Sequence, residues 1–421
     1  MDEPAADALR HPRHSIAGWK MFLAVMGPGL VVMLADTDVG SIITAAQSGV
    51  QWGYRLLLLQ LLLMPVLYIV QELTVRLGIF TGKGHGELIR SSFGAGWAWV
   101  SVSGLGIATI GALITEFSGV AGVGELFGVP RAVSLTGVTV LLLAVVLTGS
   151  YRRVERVAIA LGLFELAFFF VAWRAHPQGA ELASGLAHMP IGNNAYLYLV
   201  AANIGAVIMP WMIFYQQSAV ADKKLKPQHY RHAQWDTAFG SVIAQGVMAA
   251  VLIAAAATIG KTHAEPSLNS IGDITQMLVP VLGSSVGKAV FGFGTIGAGM
   301  VAAIVVSLAS AWGFGEVTGY RHSLEHHPLE APWFYGIYAL AVIGGAVAVD
   351  LAPDLVALNI AVEVMNALML PLVLGFLVLL AFKALPPEHR LKGPYAWLVV
   401  AVSVLTAGLG VYGGITGAHL F

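Results

Sequence analysis

Two aspartates flank a threonine in Ala35-Asp36-Thr37-Asp38-Val39-Gly40-Ser41, inside a run that is otherwise apolar. Each carboxylate costs about 3 kcal/mol at membrane depth and needs a cation beside it. Gly40, two residues on, lets a helix open at that point. A second unusual stretch is Ala202-Asn203-Ile204-Gly205-Ala206-Val207-Ile208-Met209-Pro210-Trp211. Pro210 has no N–H for the carbonyl of Ala206 and its ring crowds that oxygen, so the spacing predicts a carbonyl open to a ligand. Met209 adds a thioether, a soft donor that favours Mn²⁺, Fe²⁺ and heavier metals over Mg²⁺ or Ca²⁺. Glu116 and Glu363 are the other notable acids inside apolar runs, and such acids commonly mark ion or proton paths. Cysteine is absent, which removes thiolate sites, Cys nucleophiles and disulfides.

These residues must be positioned by elements of a particular kind. The chain of 421 residues is 57% hydrophobic, with 22 Lys+Arg and 23 Asp+Glu making up 11%, against about 25% charged residues in soluble domains. That excludes a soluble enzyme, a nucleic-acid binder and a disordered protein. It leaves an all-α polytopic membrane protein, at roughly 20 apolar residues per span. Apolar runs near 21–44, 53–78, 97–127, 132–150, 155–175, 195–218, 235–260, 280–315, 333–350, 355–383 and 395–418 predict eleven spans. They are continuous rather than alternating, which excludes a transmembrane β-barrel. The polar segment 1–20 reads as a retained cytoplasmic tail rather than a signal peptide. With it inside, 17 of the 22 basic residues fall on cytoplasmic segments, which places the N-terminus inside and the C-terminus outside. The break at 35–41 in span 1 and Met209-Pro210 in span 6 occupy matching positions, as in an inverted repeat whose interrupted helices meet at the midplane. The predicted organisation is a first repeat at 21–175 (spans 1–5), a second at 195–383 (spans 6–10), and span 11 at 395–418.

The segment from Gly27-Pro28-Gly29 through Asp38-Val39-Gly40, the Gly49-to-Tyr54 turn and the Gln71-to-Lys83 stretch ending span 2 resembles the start of the NRAMP family of divalent-metal transporters. The Ala202-to-Trp211 segment resembles the family's A-N-I-G-A-x-x-M-P-H-N. Weaker similarity covers the YRRVERV segment before span 5, Asp236-Thr237 opening span 7, and Leu368-Met369-Leu370-Pro371 in span 10. The resemblance implies an eleven-helix LeuT-like inverted repeat with broken helices 1 and 6. It places the metal-binding carboxylate on Asp38, the carbonyl ligand on Ala206 and the thioether on Met209. Departures are equally specific. The family's D-P-G-N reads Asp38-Val39-Gly40-Ser41, so a shorter hydroxyl, Ser41, stands for an amide; M-P-H reads Met209-Pro210-Trp211, so an indole replaces a titratable His. The span 3 acidic pair D-x-x-E reads Glu116-Phe117-Ser118-Gly119, the family's span 10 Gln falls on Glu363, and Asp36 has no family counterpart. The losses argue against proton coupling, since His is the side chain best suited to titrate near neutrality. Asp36 and Glu363 add hard oxygen donors, a direction that resembles the divergent NRAMP-related magnesium transporters, whereas Met209 points to Mn²⁺.

The expected function is a secondary transporter importing Mn²⁺ or Mg²⁺ by alternating access across a bacterial cytoplasmic membrane. Asp38, Ala206, Met209, Ser41, Asp36 and Glu363 would form the ion site, with Glu116 and Trp211 along the ion or proton path. The partners are the metal ion as substrate and the lipid bilayer, with no resident cofactor, nucleic acid or obligate protein partner. The alternative is a LeuT-like symporter of a small organic solute, although two acids in the broken span would repel an anionic one. An embedded enzyme or receptor lacks any supporting motif. Glu72 and Arg76, four apart, read as a local ion pair. Gln216 and Gln217 read as lining a vestibule or bonding between helices; Glu165 and Glu316 as lying at helix ends or in a cytoplasmic vestibule. His322, Glu325, His326, His327 and Glu330 form a polar loop between spans 8 and 9.

Overall fold

The computed structural model describes residues 28–148, 166–261, 268, 270–320 and 329–417. The tail 1–20, Glu165, the YRRVERV segment, the larger part of span 5 and His322, Glu325, His326 and His327 lie outside them. Span 1 is two helices, α1 (Pro28–Asp36) and α2 (Val39–Trp52). Span 2 is α3 (Leu57–Thr81), followed by the short α4 (His85–Phe93) and then α5 (Ala95–Leu126) and α6 (Arg131–Val146). After α7 (Ala167–Arg174) and α8 (Gly179–Ala187), span 6 is again two helices, α9 (Asn194–Val207) and α10 (Pro210–Asp222). There follow α11 (Tyr230–Ala257), α12 (Thr275–Leu282), α13 (Ser284–Thr318), α14 (Pro332–Asp350), α15 (Leu355–Lys383) and α16 (Gly393–Gly417).

Among the described residues, eight helical segments are long and apolar enough to cross a membrane, and Arg131–Val146 is a shorter apolar helix. The count of eleven therefore remains a reading of the hydropathy. Side chains such as Leu340, Trp397, Val404 and Leu405 are well exposed on the outer helices, as expected where lipid tails rather than water form the solvent.

The two halves pack alike. Broken span 1 lies on α11, and broken span 6 lies on α3 through α10; α5 packs on α6 as α13 packs on α14. The two long helices α5 and α13 pack extensively against each other. Small residues bring them together: Gly299 of α13 lies against the backbone of Glu116 on α5, the close approach that small residues permit between membrane helices. The first half of span 6, α9, is held by α15 and α16.

Candidate functional site

Both helix breaks follow from local chemistry. At the first, Thr37 Oγ1 donates to the Leu34 carbonyl at 2.8 Å and Asp38, with extended backbone, N-caps α2 by accepting from Ser41 N at 2.7 Å through Oδ1. An Asp at the N-cap satisfies an amide that the helix start leaves open. At the second, Met209 precedes a proline and is extended, at φ −85° and ψ 139°, the conformation that Pro imposes on its predecessor. Pro210 then starts α10 at the position where a missing N–H costs nothing. The two breaks are tied together by Ser41 Oγ, which donates to the Ala206 carbonyl at 3.0 Å. The oxygen expected to stand open thus carries one hydrogen bond, with a second lone pair remaining.

Three further acids gather here. Glu116 on α5 accepts from Val39 N at 3.4 Å through Oε2, which brings its carboxyl group next to the residue that follows Asp38. Glu363 on α15 comes up against Gly40, where any side chain would collide with its carboxylate, and accepts from Asn366 Nδ2 at 3.0 Å. Gly205 lies equally close to the Glu363 backbone carbonyl, so Glu363 sits where α15 meets both breaks. Asp36, at the end of α1, accepts from Gln245 Nε2 of α11 at 3.3 Å and lies within electrostatic reach of Asp38 and Glu363.

All four acids are at most 1% exposed, as are Met209 and Trp211, so the site is buried in the interior. Asp36 Oδ1, Asp38 Oδ2 and Glu116 Oε1 have no hydrogen-bond partner. Carboxylates packed this closely in a low-dielectric interior repel one another and demand positive charge. Among the described residues, no three His, Cys, Asp or Glu converge closely enough to hold a metal by themselves; a cation here would also need backbone, hydroxyl or thioether donors. Trp211 is buried with its indole N–H unpartnered. Where the resembled family has a second span 3 acid, Gly119 leaves room for Val39, whose side chain would collide with any Cβ there. The departures at 39 and 119 are therefore a packed pair.

The remaining sequence expectations resolve into helix–helix bonds. Gln216 accepts from Thr74 Oγ1 at 3.2 Å and donates to Thr237 Oγ1 at 3.0 Å. Gln217 donates to the Lys83 carbonyl at 3.0 Å, and His85 Nδ1 donates to its amide oxygen at 2.8 Å. Glu316 accepts from Gly86 N at 2.8 Å and Ser218 Oγ at 2.5 Å, holding α4 between α10 and α13. Glu72 and Arg76 pair at 3.0 Å; Glu72 also accepts from Tyr230, from Gln234 at 3.3 Å and from Tyr395 at 3.2 Å. Gln245, Asn366 and Asn203 carry roles that their sequence positions do not announce. Asn203 donates to Ser48 Oγ at 2.8 Å and accepts from Gln60 Nε2 at 2.6 Å. The available signal was the rule that amides inside apolar helices find partners across helices.

The sequence profile of the family described as "Natural resistance-associated macrophage protein-like", Nramp, matches residues 29–416. The chain is 27% identical to a divalent metal cation transporter MntH of Klebsiella pneumoniae, over 96% of this chain and 97% of that one. It is 31% identical to the MntH of Yersinia pestis, over 72% of this chain and 74% of the relative. Among solved structures, a manganese transporter of Eremococcus coleocola superposes with a TM-score of 0.76 at 20% identity, covering 97% of this chain and 90% of that one. The architecture is the LeuT-like inverted repeat, with both broken helices at its centre.

Proposed function

The chain belongs to the Nramp family, and from that premise we propose that it is a secondary transporter carrying a divalent metal cation, Mn²⁺ or Mg²⁺, into the cell across the bacterial cytoplasmic membrane. The observation that carries this reading is a set of acids buried at two helix breaks, with Glu116 bonded to the backbone beside Asp38 and three carboxyl oxygens lacking donors. The ion takes Asp38 Oδ2, the remaining lone pair of the Ala206 carbonyl and the Met209 thioether. Ser41 and Glu363 flank it, and the Asp36 carboxylate at the end of α1 adds negative charge close by. Glu116 and Trp211 line its path. Alternating access then consists of span 1 and span 6 halves tilting against the scaffold built on α5 and α13.

The electrical driving force suffices for entry: a divalent cation gains about 4.6 kcal/mol per 100 mV, inside negative. With Trp211 and Gly119 standing where the family has titratable groups, transport proceeds without acidification of the interior. The N-terminus lies inside and the C-terminus outside in this reading. In proteoliposomes, purified protein gives saturable Mn²⁺ or Mg²⁺ influx that Asp38→Ala abolishes; unchanged influx in that variant would sink the site assignment. Recording internal pH during competition by Mg²⁺, Ca²⁺, Mn²⁺ and Cd²⁺ separates the metals and tests coupling in one series.

A further inference from the structure

Asp36 stands apart from the other site acids in both origin and surroundings. It ends α1, whereas Asp38 begins α2, and the two face different neighbours. Asp38 caps its own helix, whose Val39 N reaches Glu116 of α5; Asp36 meets α11. Its partner there is Gln245, 1% exposed, whose Nε2 gives only a 3.3 Å bond to Asp36 Oδ2, long for an N–H donor. That single weak bond leaves each residue of the pair with an acceptor that has no donor: Asp36 Oδ1 and Gln245 Oε1, both buried. Buried polar atoms are nearly always satisfied, and a cation held between Asp36 and Gln245 satisfies both oxygens at once.

We propose that Asp36 and Gln245 form a second cation subsite, made of oxygen alone, that accepts a hard divalent cation such as Mg²⁺ beside the thioether-containing position at Asp38. The inference rests on the ion site proposed above and adds a specificity device to it. A carboxylate and a carboxamide oxygen are hard donors suited to Mg²⁺ and Ca²⁺, and neither attracts Cd²⁺ as a thioether does. On arrival of the ion, the Gln245 amide turns its oxygen inward, giving up the weak bond to Asp36, and water completes the coordination. The chain then holds a soft position at Met209 and a hard one at Gln245, and the balance between them sets the metal preference.

The test reads a ratio, so that loss of protein cancels. In proteoliposomes loaded from one preparation, the ability of Mg²⁺ to inhibit Mn²⁺ uptake is measured against that of Cd²⁺. Asp36→Asn and Gln245→Leu each lower the Mg²⁺-to-Cd²⁺ inhibition ratio roughly tenfold, the range seen when groups supporting a metal are removed. Gln245→Glu raises it, a change of opposite sign that misfolding does not produce. Calorimetric titration of the purified protein with MgCl₂ gives a binding event that Asp36→Asn removes. Ratios within about twofold of the parent in all three variants, or an unchanged MgCl₂ titration in Asp36→Asn, overturn the subsite. If Asp38→Ala still abolishes influx in that case, the principal ion site stands and only the second position falls; if Asp38→Ala leaves influx unchanged, the principal site assignment falls as well.

Discussion

Asp38 serves two roles through its two oxygens. Oδ1 caps α2 by accepting from Ser41 N, and Oδ2 remains without a donor. Asp38→Asn keeps an oxygen for the cap but loses the charge, so it is expected to fold with a near-parental melting temperature while losing saturable Mn²⁺ influx; normal influx would contradict the ligand role. Met209 lends softness. Met209→Ala is expected to weaken Cd²⁺ competition relative to Mg²⁺ by about tenfold, read from uptake inhibition curves. The acids of this site were visible in the sequence because a charge in an apolar run is conspicuous. Gln245 and Asn366 were not, because an uncharged amide in a helix becomes informative only once its partner on another helix is known.

At the scale of elements, the breaks are held by caps and by close approach. Gly205 leaves α9 touching the Glu363 carbonyl of α15, and a Cβ there would meet backbone that has no rotamer to escape into. Gly205→Ala is expected to destabilise by about 1–3 kcal/mol and to depress transport, as measured by thermal unfolding and influx; a melting temperature equal to the parent would show that α9 and α15 can separate freely. The helices themselves, including the interruption of spans 1 and 6, were legible from hydropathy, Asp, Gly and Pro. What could not be read was that Ser41 Oγ joins one break to the other across 165 positions of sequence. Periodicity describes a helix against its surroundings, not which neighbour supplies those surroundings.

Across the whole molecule, one end of the bundle is fastened by polar clusters that sequence spacing only hinted at. Glu72 and Arg76 read as a local pair, yet Glu72 also takes hydroxyl groups from α11 and α16, and Arg76 lies over the Tyr395 ring at 5.5 Å. Glu72→Ala leaves Arg76 unpaired and should cost of order 2 kcal/mol, less than the 3–5 kcal/mol of a fully buried pair because Arg76 keeps some solvent contact; an unchanged melting temperature would reduce the cluster to decoration. Elsewhere, His85 on α4 is fully buried against Phe214, and burial pushes its imidazole down to about 4. The unfolded chain, with an ordinary His near 6.5, binds the extra proton first as pH falls. His85 therefore favours the folded state above pH 6.5 and loses that contribution between about 6.5 and 4. His85→Gln should flatten the fall in melting temperature across that window, and a parallel fall in both proteins would remove His85 as its source.

Composition and hydropathy by themselves determined that this chain lives in a membrane as a bundle of helices, because 11% charge cannot cover a soluble surface of this size. Local chemistry determined where two helices break, because Asp, Gly and Pro act on the backbone within a turn of where they stand. Only the tertiary structure decided that Glu363 would press on Gly40, that Val39 would fill the space at Gly119, and that Gln245 would meet Asp36. Those contacts join residues far apart in the chain, and their geometry is set by how whole helices pack, which no local pattern encodes.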